Sequence, residues 1–418
     1  MLKGPIARGT FRTSAVLSLR LFVQAGTLLL VARLLGPSDY GAFAGVSSLA
    51  VILGTLSTFG LHLVLLGEMS RDPARRAHVL ARAIPATLAC GTLLLAVFLL
   101  VCLGALQEAR MPLQVLLAIG ITEILLQPLF NLPASELLAH GRAARSQMVA
   151  LFPLMLRLVA VTGVFLLTPA KPLAVYGFAY IAASLTALAI VSFVMPEPWP
   201  APRVWRWPTR AEWREAAGYA ALNVTALSPA ELDKTLAAKL LPLPVTGVYA
   251  AGQRVIGAAT LPVVAMLLSA LPRLFREGHD GHGRTRRLLH WIFAATIGYS
   301  LALSCALWLC TPIFAWLFGH RYAGIDHMLH WLVPSIPGMA VRTAAGSALM
   351  ALGKPWMRVG FEIAGLAALA VASVLLTGHF GAIGMPLALA CSEWTMATAG
   401  VLMLFTSTRG IGSNAACH

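Results

Sequence analysis

VLARAIPATLACGTLLLAVFLLVCLG, residues 79–104, carries one charged side chain, Arg82, in twenty-six positions. A helix of that length reaches about 39 Å, enough to cross the ~30 Å hydrocarbon core of a bilayer. Inside a bilayer no water satisfies backbone N–H and C=O groups, so such a stretch crosses as a helix. The pattern recurs along the chain. Apolar runs between turn and charge clusters fall at 14–35, 40–66, 79–104, 113–139, 148–168, 173–195, 216–241, 245–272, 291–318, 329–352, 359–377 and 383–405. They predict an all-α polytopic membrane protein of about twelve transmembrane helices.

Composition agrees. Of 418 residues 58% are apolar and 11% charged, too little polar side chain to coat a soluble globule of this size. The 31 Lys and Arg exceed the 16 Asp and Glu, yet no soluble domain gathers them, which argues against nucleic acid as a partner. The six cysteines lie mostly within apolar runs and lack metal-ligand or disulfide spacing, so they read as small core residues. The first run is followed by further spans rather than by a mature domain, so it is expected to remain as helix one.

The basic residues fix an orientation. With the amino terminus in the cytoplasm, twenty-one fall inside: Lys3, Arg8 and Arg12, then Arg71 to Arg82, Arg142 and Arg145, Arg203 to Arg214, Arg273 to Arg287, Lys354, Arg358 and Arg409. Five fall outside, Arg33, Arg110, Lys171, Lys239 and Arg321. That bias predicts both termini in the cytoplasm.

The chain also repeats itself. Arg33-Leu34-Leu35, five residues, Gly41, one residue, Phe43-Ala44 returns 206 positions later as Lys239-Leu240-Leu241, five residues, Gly247, one residue, Tyr249-Ala250. Leu138-Ala139-His140-Gly141-Arg142 returns 212 positions later as Met350-Ala351-Leu352-Gly353-Lys354. Six spans per repeat leave both halves pointing the same way, as two parallel six-helix lobes around a central cavity. The expected division is 1–195, a cytoplasmic linker at 196–215 with five prolines and four tryptophans, and 216–418 with a short cytoplasmic tail. Trp199, Trp205, Trp207 and Trp213 are expected at headgroup level.

These residues carry a family resemblance. Ala32-Arg33-Leu34-Leu35-Gly36-Pro37 with Gly41 and Phe43, Phe59-Gly60-Leu61 at the expected end of helix two, Leu138 to Arg142, and Asp233-Lys234 before Gly247-Val248-Tyr249-Ala250-Ala251 recur across both halves. In order and spacing they resemble the polysaccharide-flippase branch of the multidrug/oligosaccharidyl-lipid/polysaccharide exporter superfamily. The resemblance implies two lobes, alternating access and an undecaprenyl-pyrophosphate-linked oligosaccharide as cargo, such as an exopolysaccharide or O-antigen repeat unit. It also implies a bacterial inner-membrane location, with membrane lipid and polysaccharide polymerases as partners.

A pyrophosphate leaving water needs fixed positive charge at membrane depth, which Arg supplies through its bidentate fork and persistent ionisation. Charged residues within spans are therefore functional candidates. Arg254 and Arg342 lie near the middle of helices eight and ten, and Lys234 lies on helix seven. Arg20 and Arg157 sit nearer the cytoplasmic side, as a first contact for the headgroup or as side chains that snorkel to the interface. Glu123, Glu231, Asp233 and Glu393 are the acidic counterparts, able to bind a coupling H⁺ or Na⁺ or to neutralise an arginine. Ser228-Pro229-Ala230-Glu231 has the form of a capping box, so helix seven is expected to break at Ser228 and Pro229. The other reading of that stretch is a proline kink with Glu231 paired to Lys234.

No nucleophile elbow, phosphate-binding glycine loop or metal-ligand cluster is present in the sequence, so no catalytic site, metal or cofactor is expected. Three other readings compete: a drug or small-molecule exporter of the same superfamily, a major-facilitator carrier, and a membrane glycan polymerase. Gly67, Arg71-Asp72 and Arg75-Arg76 approach the loop many major-facilitator carriers have after helix two, with the charge order reversed. A polymerase would need a large external loop, whereas the external connections span about five to ten residues.

Overall fold

The computed structural model describes the backbone of residues 5–106, 111–195, 197–280 and 282–414. Lys3, Arg110 and Cys417 lie outside the described residues, as do the side chains of Arg8, Arg12, Arg273, Arg276, Arg284, Arg286 and Arg409. Among the described residues every regular element is a helix, and the helices line up as twelve rods that follow the twelve apolar runs.

The first two rods lie within α1 (Pro5–Ser57). A straight helix over its apolar part, Ser18–Ser57, would measure about 60 Å, twice the hydrocarbon thickness. It is broken at Gly36, whose φ of 73° and ψ of 171° leave the helical region, next to Pro37, which offers no N–H. Rod two turns again at Phe59 and Gly60, with φ of 45° and 77°, and resumes as α2 (Leu61–Arg71). Phe59-Gly60-Leu61 is thus a kink within helix two rather than its end.

Rod three is α3 (Arg76–Gly104). Rod four joins α4 (Leu113–Gly120), a π turn over Ile121–Leu126, and α5 (Gln127–Ala139). Rods five and six are α6 (Ala143–Leu167) and α7 (Pro172–Val194). Rod seven is α8 (Arg210–Leu227) followed by α9 (Pro229–Leu240), and rods eight and nine are α10 (Leu243–Asp280) and α11 (His282–Phe318). Rod ten joins α12 (Ile325–Leu332) to α13 (Ser335–Ala351); α14 (Pro355–Phe380) and α15 (Gly384–Asn414) complete the set. Exposed side chains such as Phe22, Phe193, Leu309 and Trp316 make sense only with lipid as the solvent. The protein is a multi-pass membrane protein.

The chain forms two compact units, Met1–Val224 and Thr225–His418. Leu61, Leu65, Met69, Leu80, Ile84 and Leu132 centre one core cluster of the first, and Ala216 of α8 belongs to it. At Gly60 an added Cβ would lie 2.5 Å from the Ala216 carbonyl oxygen, so that glycine admits α8 against the kink. The interval 196–215, expected as a linker, packs onto this unit. Trp199, Trp205 and Trp213 lie partly buried against its core, while Trp207 is exposed.

The sequence repeats have structural counterparts inside each unit. Arg142 N–H donates to Leu137 C=O and Lys354 N–H to Leu349 C=O, both at 2.9 Å, around Gly141 and Gly353 at φ of 70° and 71°. These are matching Schellman ends, and glycine is what their left-handed residue requires. At the same 212-residue offset the π turn starting at Ile121 corresponds to the break between α12 and α13 at Val333.

Candidate functional site

The π turn widens rod four around Glu123, and such turns recur at functional sites. Two glycines make room for it. A Cβ at Gly54 would lie 2.1 Å from the Glu123 carbonyl oxygen, and one at Gly91 would lie 3.1 Å from that of Ile124. The Glu123 carboxylate pairs with Arg157 of α6, Nη1 to Oε1 at 3.1 Å, and accepts a hydrogen bond from the Tyr180 hydroxyl of α7. Arg157 also donates to Ser184 Oγ and Gln127 Oε1, both at 3.3 Å, and its guanidinium lies 4.3 Å from the centroid of the Tyr180 ring. Phe43 packs edge-on against Tyr176 and Tyr180 at 5.4 and 5.8 Å. Arg157 is therefore buried in an ion pair.

The second unit holds a larger polar group. Lys234, fully buried on α9, lies 3.0 Å from Glu231 Oε2 and 3.8 Å from Asp233 Oδ1, and donates to the Ala230 carbonyl. Tyr249 of α10 donates to Asp233 Oδ2 at 2.8 Å. Phe43 and Tyr249 hold the same place in the repeat, so each half sets an aromatic ring beside its buried carboxylate system. Arg342 of α13 meets Glu393 of α15 at 2.7 Å, and Arg358 meets Glu362 of α14 at 2.9 Å. Oε1 of Glu393 and Oε2 of Glu362 are buried without a hydrogen-bond partner among the described residues.

Arg254 differs from these cations. It approaches Glu231 at 3.9 Å and keeps 45% of its side chain exposed. Arg20 is half-buried among exposed apolar neighbours, with no polar partner among the described residues. Helix seven was expected to break at Ser228 and Pro229; it is interrupted at Ser228 alone, between Leu227 and Pro229, and the capping box does not form. Ser228 has helical angles (φ −56°, ψ −38°) and its side chain makes no capping hydrogen bond. The Glu231 carboxylate turns to Lys234 instead. The break is a proline interruption with an i, i+3 ion pair.

A further network lies at the end of the first unit where α2, α3, α5 and α7 terminate. Arg82 pairs with both Glu68 and Glu212, Arg206 with Glu212 at 2.7 Å, and Arg76 with Glu136 at 2.7 Å and Glu197 at 3.0 Å. The hydrogen bond from Arg206, aided by Thr209 N–H and Arg82, holds the Glu212 carboxyl down at about 2 against the opposing effect of burial. Tyr180, Tyr249, Glu68, Glu212 and Glu136 were not singled out from sequence. Apart from Arg206, six residues from Glu212, the arginines of this network lie 14 to 130 residues from these carboxylates, and only Tyr249 carried a signal, its place in the repeat.

Solved structures share this fold. An inward-facing multidrug resistance MATE family transporter of the MOP superfamily matches with a TM-score of 0.76, at 12% identity over 96% of this chain and 99% of that one. A MOP superfamily transporter from Pyrococcus furiosus matches with a TM-score of 0.67, at 14% identity over 97% and 96%. An outward-facing MATE family transporter gives 0.66, at 14% identity over 99% and 98%. No curated protein matches the chain. The polysaccharide biosynthesis protein family matches residues 6–277. That match spans well over half of the 418 residues, and the chain belongs to the polysaccharide biosynthesis protein family.

Proposed function

We propose that this chain is a flippase, carrying undecaprenyl-pyrophosphate-linked oligosaccharide across the bacterial inner membrane by alternating access. The observation that carries the reading is a polysaccharide biosynthesis family member built on a transporter-type fold with arginines and carboxylates buried in its membrane helices. Arg254, exposed on α10, is the first cation available to a pyrophosphate. Arg157, Lys234 and Arg342 are held by carboxylates, so they serve the headgroup by exchange. When Glu123 or Glu393 takes a proton, its arginine is released to the pyrophosphate, and cargo movement is coupled to H⁺. Oε1 of Glu393, buried without a hydrogen-bond partner among the described residues, is a candidate place for that proton or for Na⁺. Polysaccharide polymerases would receive the product on the far side. A small-molecule exporter is the second reading, supported by the fold shared with MATE transporters.

The test is glycan export by variants at native expression. Arg254→Ala is expected to lower export at least tenfold with normal protein in the membrane, and Arg254→Lys to restore part, since lysine lacks the bidentate fork. Full export by Arg254→Ala would remove the headgroup role. Export of dyes with no effect on glycan would favour the second reading.

A further inference from the structure

At the end of the first unit where α5 passes into α6, a cavity of about 530 Å³ opens between α6 and α7. Arg145, Met148, Phe152 and Met155 line it at spacings of three, four and three, so they share one face of α6. Val191 of α7 forms part of the opposite wall, and Arg142 joins Arg145 at the mouth. Met148 and Met155 are both exposed, so the cavity opens outward rather than into the unit. Its volume lies in the roughly 300–1,000 Å³ range of small-molecule sites.

Arg142 and Arg145 stand apart from their neighbours. Arg76, Arg82 and Arg206, at the same end of the unit, are each engaged by carboxylates. The guanidiniums of Arg142 and Arg145 are exposed and meet no hydrogen-bond or ion-pair partner among the described residues. A neutral apolar ligand would not need two cations at the mouth, and a free anion would not need the apolar wall. The pair fits an amphiphile with an anionic head and an apolar tail. A polytopic protein with basic residues just beyond its apolar runs meets such an amphiphile in the anionic lipid of the leaflet it faces.

We infer that this cavity is a binding site for an anionic phospholipid, one acyl chain lying along Met148, Phe152 and Met155 and the phosphate bridging Arg142 and Arg145. The site is separate from the buried charge clusters and does not depend on which cargo the protein moves.

Native mass spectrometry of the full chain in detergent tests this, with dioleoyl phosphatidylglycerol and dioleoyl phosphatidylcholine as paired probes. Two arginines near the headgroup level give an expected preference for the anionic lipid on the order of 30-fold. Arg142→Gln with Arg145→Gln should erase the preference while leaving a monodisperse protein, because both side chains are exposed. Met148→Trp, which narrows the cavity and keeps both arginines, should weaken retention of both lipids. Should the Trp variant fail to fold, the double Gln variant decides alone. Equal retention of the two lipids, or a preference that survives the double Gln change, would overturn the site. Displacement of phosphatidylglycerol by equimolar undecaprenyl phosphate would also overturn it, by assigning the cavity to the carrier lipid.

Discussion

Replacing Arg157 by Met keeps most of the side chain's length and removes its charge, leaving the Glu123 carboxylate buried with the Tyr180 hydroxyl as its remaining donor. Breaking one partner out of a buried ion pair costs about 3–5 kcal/mol. Thermal unfolding of the detergent-solubilised protein at one scan rate reads the loss. Arg157→Met should unfold several degrees below the unaltered protein. Arg157→Met combined with Glu123→Gln should recover most of the loss, because the carboxylate left without its arginine is then uncharged. A single variant as stable as the parent, or a double variant no better than the single one, would show that the pair is not buried as described.

Glu212 titrates at about 2 instead of near 4.5. Its contribution is complete above pH 4.5 and lost as pH falls from 4.5 toward 2, so the instability of Glu212→Gln should be present at pH 6 and much reduced at pH 3 in the same unfolding assay. Gly54→Ala would force a Cβ to within 2.1 Å of the Glu123 carbonyl oxygen, whereas nothing lies within 4 Å of a Cβ at Gly67. Overpacking of that kind costs about 1–3 kcal/mol, so Gly54→Ala should lower the amount of folded protein and Gly67→Ala should not. Reporter fusions after Leu167 and after Arg210 should read outside and inside respectively; the reverse pair of signals would defeat the charge-based orientation.

The twelve rods were legible because an apolar run long enough to span has few alternatives, and Pro229 marked the break in rod seven. The matching helix ends at Gly141 and Gly353 were visible as a repeat before their hydrogen bonds were known. The partnerships were harder to read. Arg157 and Glu123 lie 34 residues apart on different rods, and only their packing joins them. The π turn around Glu123 has no sequence mark of its own, since its room comes from Gly54 and Gly91 on other rods. Ser228 had the residues of a cap, but a nearby lysine took Glu231, and local chemistry gave way to the buried ion pair. The packing of the interval 196–215, read as a cytoplasmic linker, was not legible because its ties run to distant residues, Arg82, Arg76 and Ala81.

The central claim, movement of lipid-linked glycan from one leaflet to the other, is tested most directly by depleting the protein and analysing undecaprenyl-linked intermediates in the membrane. Completed repeat units should accumulate, protected from a glycosidase added outside and open to one added to inverted vesicles. Intermediates that fail to accumulate, or that build up open to the external glycosidase, would contradict it.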